Sequence, residues 1–180
     1  GSKFHHFLLD EFQDTSRLQW LNLVPLVKES MSQNNDNLIV GDPKQSIYRF
    51  KNGIAEQFVA LPKIYNPEKD PHISAQSEYF EEMGSLSELK DNWRSSPTIV
   101  RLNETFFEDF RNFLSPTTAE FYNSVHQIPK SKLNGKIEII STQEKRSLNE
   151  LVPQIIDWIE ECKADGFKPG EICILGETNK

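Results

Sequence analysis

Two short apolar runs, each ending abruptly in acidic residues and separated by a helical pattern, most constrain what this chain can fold into. His5–Leu9 reads as a buried strand that stops at Asp10-Glu11, and Leu38-Ile39-Val40 as a second that stops at Gly41-Asp42-Pro43. Between them, Thr15 or Ser16 offers a helix N-cap, and Trp20, Leu23 and Val27 recur on one helical face. Strand, helix and strand in this order predict a right-handed crossover between parallel strands. In such α/β sheets ligands gather at the carboxyl ends of the strands, where both Asp10-Glu11 and Asp42 to Gln45 stand.

From Pro62 to about Ser85 the periodicity dissolves among three prolines and many polar residues, which predicts a linker or exposed excursion. Order returns near Leu86. Ser96-Pro97 is an N-cap and first-turn pair, and Ile99, Leu102, Phe106, Phe110 and Phe113 trace the apolar face of the helix that follows. Ile137–Ile140 reads as a strand, Leu148, Val152, Ile155, Ile159 and Cys162 as an amphipathic helix, and Ile172–Leu175 as a final strand. The second half is again α/β. Three segments are expected: 3–61, the connecting stretch 62–85, and 86–180.

Composition narrows the class. With 37% hydrophobic and 26% charged residues among 180, the chain is globular rather than disordered. No apolar run reaches the roughly 18 residues a membrane helix needs, so no membrane partner is expected. Cys162 and Cys173 form no CxxC pair and lie in apolar-periodic segments, which predicts buried, reduced thiols and a cytoplasmic setting. The net charge of −7 argues against a protein that grips DNA by bulk electrostatics. His5 and His6 point to opposite faces of a strand and form no chelate, and the acidic run Glu78 to Glu82 reads as a solvated face.

Adjacent carboxylates at a strand end suit nucleotide hydrolysis, one holding Mg²⁺ and the other orienting and deprotonating a water. Taken alone, Asp-Glu after a strand is common, and a solvated loop is its default reading. The whole run Leu8-Leu9-Asp10-Glu11-Phe12-Gln13-Asp14-Thr15 is more specific. It resembles motif II, the Walker B element, of superfamily 1 DNA helicases of the UvrD/Rep/RecB type. Val40 to Gly53, through Gly41-Asp42-Pro43-Lys44-Gln45-Ser46, resembles motif III, and Asn92-Trp93-Arg94-Ser95-Ser96-Pro97 resembles motif IV. Within the family the first two runs look nearest to the RecB/AddA branch.

The resemblance implies a fold and a set of roles. Residues 3–61 would be the C-terminal part of a first RecA-like ATPase domain, and residues 86–180 the first part of a second. Asp10 would be the metal carboxylate and Glu11 the general base. Gln45 would sense the γ-phosphate of ATP, Trp93 would stack on the adenine, and Arg94 would reach the γ-phosphate. Tyr48, Phe50 and Lys51 would line the path of single-stranded DNA, since bases stack on aromatic rings with little sequence preference. Without the motif, Phe50 reads as a core residue. Ile174-Leu175-Gly176-Glu177 lacks the basic residue that the family carries at its end.

The function so implied is a piece of an ATP-dependent 3′→5′ DNA helicase or translocase of repair or recombination. It would use Mg²⁺ and ATP, act on single- or double-stranded DNA, and work beside a nuclease or a second helicase polypeptide. None of the eight glycines opens a G-x-x-x-x-G-K-[ST] phosphate loop. The 180 residues alone are therefore expected neither to hydrolyse ATP nor to unwind DNA, and to leave apolar sheet surface exposed or covered by a second copy. The alternatives are a non-catalytic repair or interaction module that keeps motor motifs, and a P-loop enzyme that acts on nucleotides without DNA.

Overall fold

The computed structural model describes residues 4–123, 125–140 and 148–176. They form an α/β protein with two small parallel β-pairs, consistent with a RecA-like fold, and the chain divides into compact units at 1–136 and 137–180.

In the first unit, strand β1 (Leu8–Leu9) pairs in parallel with β2 (Leu38–Ile39). The ladder runs past both strands: Leu38 N–H donates to Phe7 O, Val40 N–H to Leu9 O, and Phe12 N–H to Val40 O. Helix α1 (Arg17–Ser32) makes the crossover between them. Its start follows from Ser16, whose hydroxyl accepts from Gln19 N–H while the Gln19 side chain accepts from Ser16 N–H, a reciprocal cap. Trp20, Val24 and Val27 fall on one face and are buried, while Pro25 takes an exposed position inside the helix.

The core forms around that face. Phe12 meets Trp20 edge to face at 5.0 Å, and Trp20 meets Phe80 at 6.0 Å. Ile64 completes the buried cluster, and Leu9, Ile39 and Phe58 pack against it from the sheet and from helix α2 (Glu56–Ala60). The opposite side of the β1–β2 pair exposes Leu8 and Leu38.

The stretch 62–85, expected to be a linker or excursion, contains a 13-residue helix, α3 (Pro71–Met83), which delivers Phe80 to the core. Asp70 caps it by accepting from His72 and Ile73 N–H, and Pro71 takes the first turn, where its missing N–H costs nothing. The glutamates of its acidic run are exposed, one of them paired with Lys63.

Farther along the first unit, β3 (Asp91–Asn92) pairs in parallel with β4 (Ile128–Pro129). Between them lie α4 (Pro97–Phe110), capped by Ser96 as expected, and the short α5 (Pro116–Ala119). The apolar stripe of α4 is helical as its spacing predicts, but Val100 is the helix's buried residue, while Ile99, Leu102, Phe106, Phe110 and Phe113 are exposed. Periodicity encodes a face; burial also needs an element to cover it. Here the rings pack on one another instead, Phe106 stacked on Phe110 at 5.8 Å and Phe107 on Tyr122 at 5.4 Å.

In the second unit, the amphipathic pattern after residue 147 forms α6 (Leu148–Ala164). Neither Ile137–Ile140 nor Ile172–Leu175, both expected as strands, forms one among the described residues; an apolar extended run becomes a strand only when a partner supplies the ladder. Cys173, expected to be buried, is exposed; Cys162 is half-buried, and both are free thiols. Glu177, where a basic residue was expected, lies outside the described residues. No helix among the described residues is long and apolar enough to cross a membrane.

Candidate functional site

The carboxyl ends of β1 and β2 bring Asp10-Glu11 and Asp42 to Gln45 side by side. Phe12 is the physical reason: fully buried against Trp20, it pins the acidic run to the core and turns the residues on either side outward. Asp10 is exposed, and one of its oxygens accepts from Glu11 N–H at 2.9 Å. Glu11 adopts the left-handed conformation, with φ 51° and ψ 40°, a region that a non-glycine residue enters only when its surroundings hold it there. Its carboxylate accepts from Gln13 Nε2 at 2.5 Å, and Gln13 Oε1 accepts from Asp42 N–H at 3.0 Å.

Asp42 is the most heavily bonded acid of the loop. Lys44 N–H donates to its Oδ1 at 3.0 Å, the Lys44 ammonium sits 2.7 Å from the same oxygen, and Gln45 Nε2 donates to Oδ2 at 3.1 Å. Burial pushes this carboxyl upward, but the bonds from Lys44 and Gln45 and the Lys44 charge outweigh it and hold the group below the usual carboxylate range. Gln45, although exposed, thus has its amide engaged by a neighbour three residues away.

The same loop continues into an aromatic turn. The Tyr48 and Phe50 rings tilt toward each other, and the Lys51 ammonium lies 4.6 Å from the Tyr48 centroid and 5.6 Å from that of Phe50. Phe50 is 77% exposed, which excludes the core reading of this side chain. Tyr48 N–H reaches Asp14 Oδ1, Ile54 N–H donates to Thr15 O, and buried Gln57 donates to the same carbonyl at 2.9 Å. Bonds from its first residues to its last thus lash the 41–57 segment onto the acidic run.

Trp93 and Arg94 follow β3. Asn92 Oδ1 accepts from both Arg94 and Ser95 N–H, a tight turn that leaves Trp93 74% exposed. No hydrogen bond or ion pair joins Trp93 or Arg94 to Asp10, Glu11 or Gln45 among the described residues. The turn Pro43–Gln45 does lie against the turn Glu120–Tyr122.

For Mg²⁺, the donor chemistry fits in a limited way. Asp10 offers a hard, exposed carboxylate oxygen, and no cluster of three acidic, histidine or cysteine side chains lies among the described residues. That set suits an ion which keeps most of its ligands as water and substrate phosphate. It does not suit an ion that needs a protein cage.

Comparison with known proteins bears on this arrangement. Residues 1–66 match the family described as the UvrD/REP helicase N-terminal domain. An ATP-dependent helicase/nuclease polypeptide of Streptococcus pneumoniae (strain Hungary19A-6) is 32% identical over 127 residues, which are 70% of this chain and 9% of that protein. Its namesake from Natranaerobius thermophilus is 33% identical over 131 residues, or 72% of this chain. ATP-dependent DNA helicase srs2 of Schizosaccharomyces pombe is 40% identical over 97 residues, or 54% of this chain. By these matches the chain is similar to superfamily 1 helicases of the UvrD/Rep/AddA type. It spans 9% of the length of each of these relatives.

Two buried glutamines, Gln13 and Gln57, also stand at this site though neither was expected there. Both are 1% exposed and both bond across to another segment. The signal is weak but real: a buried glutamine needs partners for its amide, and Gln13 bonds through both ends, whereas Gln57 donates through Nε2 to Thr15 and leaves its buried Oε1 without a partner.

Proposed function

We propose that this chain carries part of the motor of an ATP-dependent DNA helicase or translocase that moves 3′→5′ along single-stranded DNA, in repair or recombination. Residues 3–61 then belong to a first RecA-like ATPase domain and residues 86–180 begin a second. The observation that carries the reading is the lashing of the acidic run to the aromatic turn. One continuous loop bonds to the Glu11 tether at Asp42 and presents Tyr48, Phe50 and Lys51 to solvent.

In this reading, Asp10 would hold Mg²⁺, directly or through a bound water. When bound with ATP, Mg²⁺ neutralises charge that develops on the phosphates. Glu11 orients the attacking water and accepts its proton, a role that needs a carboxylate with one oxygen left free. Gln45 donates to the γ-phosphate after releasing Asp42, an exchange open to an exposed amide. Arg94 adds a fixed positive charge and a planar donor fork there, and exposed Trp93 offers its ring face to the adenine. Bases stack on Tyr48 and Phe50, and Lys51 meets the DNA backbone. The names of the Streptococcus relatives support a nuclease as partner or as part of the same protein.

The test is ATP turnover by the full-length natural protein with single-stranded DNA present. Glu11→Gln should abolish turnover and leave nucleotide binding intact. Unwinding should proceed only on duplexes with a 3′ single-stranded tail. Full turnover in the Glu11→Gln protein overturns the hydrolytic assignment. Intact DNA binding with no turnover in the unaltered protein supports a non-catalytic module instead.

A further inference from the structure

We propose that Gln13 is a positioning residue, a buried amide clamp that holds the Glu11 carboxylate in register with the loop beginning at Asp42. The proposal rests on the reading of Glu11 as the residue that activates water.

The geometry leaves the clamp little freedom. A backbone N–H can only donate, so the Asp42 amide fixes which end of the Gln13 side chain is oxygen. The opposite end must then be the NH₂ group, and it meets Glu11 Oε2 at 2.5 Å. Gln13 is 1% exposed, so its amide has these two protein groups rather than water to bond. Glu11 itself is exposed and stands in the left-handed region, and a flexible glutamate there has many orientations open to it. Anchoring Oε2 leaves Oε1 free to face a water in one direction.

The clamp is also sensitive to the loop. A Cβ added to Gly41 would fall 2.6 Å from Gln13 Oε1, so glycine at this place is what lets the strand end approach the amide. A shift of the 41–45 segment therefore moves Gln13, and through it Glu11. No other side chain can replace the amide. Glutamate cannot donate to Glu11, asparagine is one methylene short, and methionine fills the space without either bond.

The experiment is steady-state ATP turnover in the full-length protein with single-stranded DNA, with competent sites counted by nucleotide binding so that misfolded protein does not enter kcat. Gln13→Met should lower kcat on the order of 10- to 100-fold, the scale of a misplaced catalytic group. KM for ATP should change by less than about twofold, because ground-state binding is untouched. Gly41→Ala, which displaces the amide without altering it, should lower kcat in the same sense. In a Glu11→Gln background, Gln13→Met should have no further effect on the residual rate. Multiplying losses in the double variant, or full kcat per competent site in Gln13→Met, overturn the clamp. If Glu11→Gln itself turns over ATP normally, the underlying reading of Glu11 fails; if only Gln13→Met is silent, that reading stands and the clamp alone falls.

Discussion

The rings of Tyr48 and Phe50 stand 5.8 Å apart, centroid to centroid, with their planes inclined by 55°. Two adjacent, solvent-facing aromatics beside the Lys51 ammonium form a surface suited to stacked bases rather than to a core. Replacing each ring with alanine in the full-length protein should weaken single-stranded DNA binding by about 1–3 kcal/mol per position. Fluorescence anisotropy with a labelled oligonucleotide reads this directly. Unchanged affinity in the Tyr48→Ala, Phe50→Ala double variant would remove these rings from the DNA path.

Phe12 should govern stability more than any residue beside it in the acidic run. It is fully buried and packs edge to face on Trp20 and more loosely on Phe58. Phe12→Ala should cost about 3–5 kcal/mol through the lost transfer energy and the cavity left behind. Urea unfolding followed by tryptophan fluorescence measures the loss, and a cost below about 1 kcal/mol is incompatible with this packing.

The reciprocal cap at the start of α1 makes a smaller but sharper prediction. Ser16→Ala should destabilise the protein by about 1 kcal/mol. The Ser16 and Gln19 side chains each serve the other's backbone N–H, so their separate alanine effects on the urea midpoint should not simply add. Strict additivity contradicts a shared cap.

Asp42 should leave a trace in the pH dependence of stability. Its carboxyl is held below the ordinary range in the folded protein, burial being outweighed by the Lys44 and Gln45 bonds and the Lys44 charge. The unfolded chain then binds the proton more readily than the folded one. The contribution is fully present above the unfolded carboxylate value of about 3.9 and is lost as pH falls through the lower folded value. Asp42→Asn should therefore flatten the decline in stability below about pH 4, as read from urea midpoints across the acid range. An unaltered acid limb is the contrary result.

Much of this was legible in the residues themselves. The α1 face, the Ser96-Pro97 start of α4 and the parallel pairing of Leu8–Leu9 with Leu38–Ile39 all follow from spacing and capping chemistry. The segment 62–85 was not legible as a helix, because its prolines read as breakers. Yet Asp70-Pro71 is also a cap and first turn, and only the core face awaiting Phe80 decides between the two meanings. The runs Ile137–Ile140 and Ile172–Leu175 erred in the other direction. Spacing states how ready an apolar run is to extend; whether it is laid into a sheet depends on the fold around it.

By itself, then, the order of residues determined the local chemistry: two carboxylates after an apolar run, an amide and a lysine after the next, and an aromatic-basic turn beyond. Tertiary structure alone decided how these parts are joined. Gln13, bonded to nearby Glu11, reaches Asp42 across 29 positions of chain because the parallel ladder sets the two strand ends side by side. Hydrogen bonds of this kind depend on distance in space, and an amide in a sequence does not state which partners the fold will bring to its two ends.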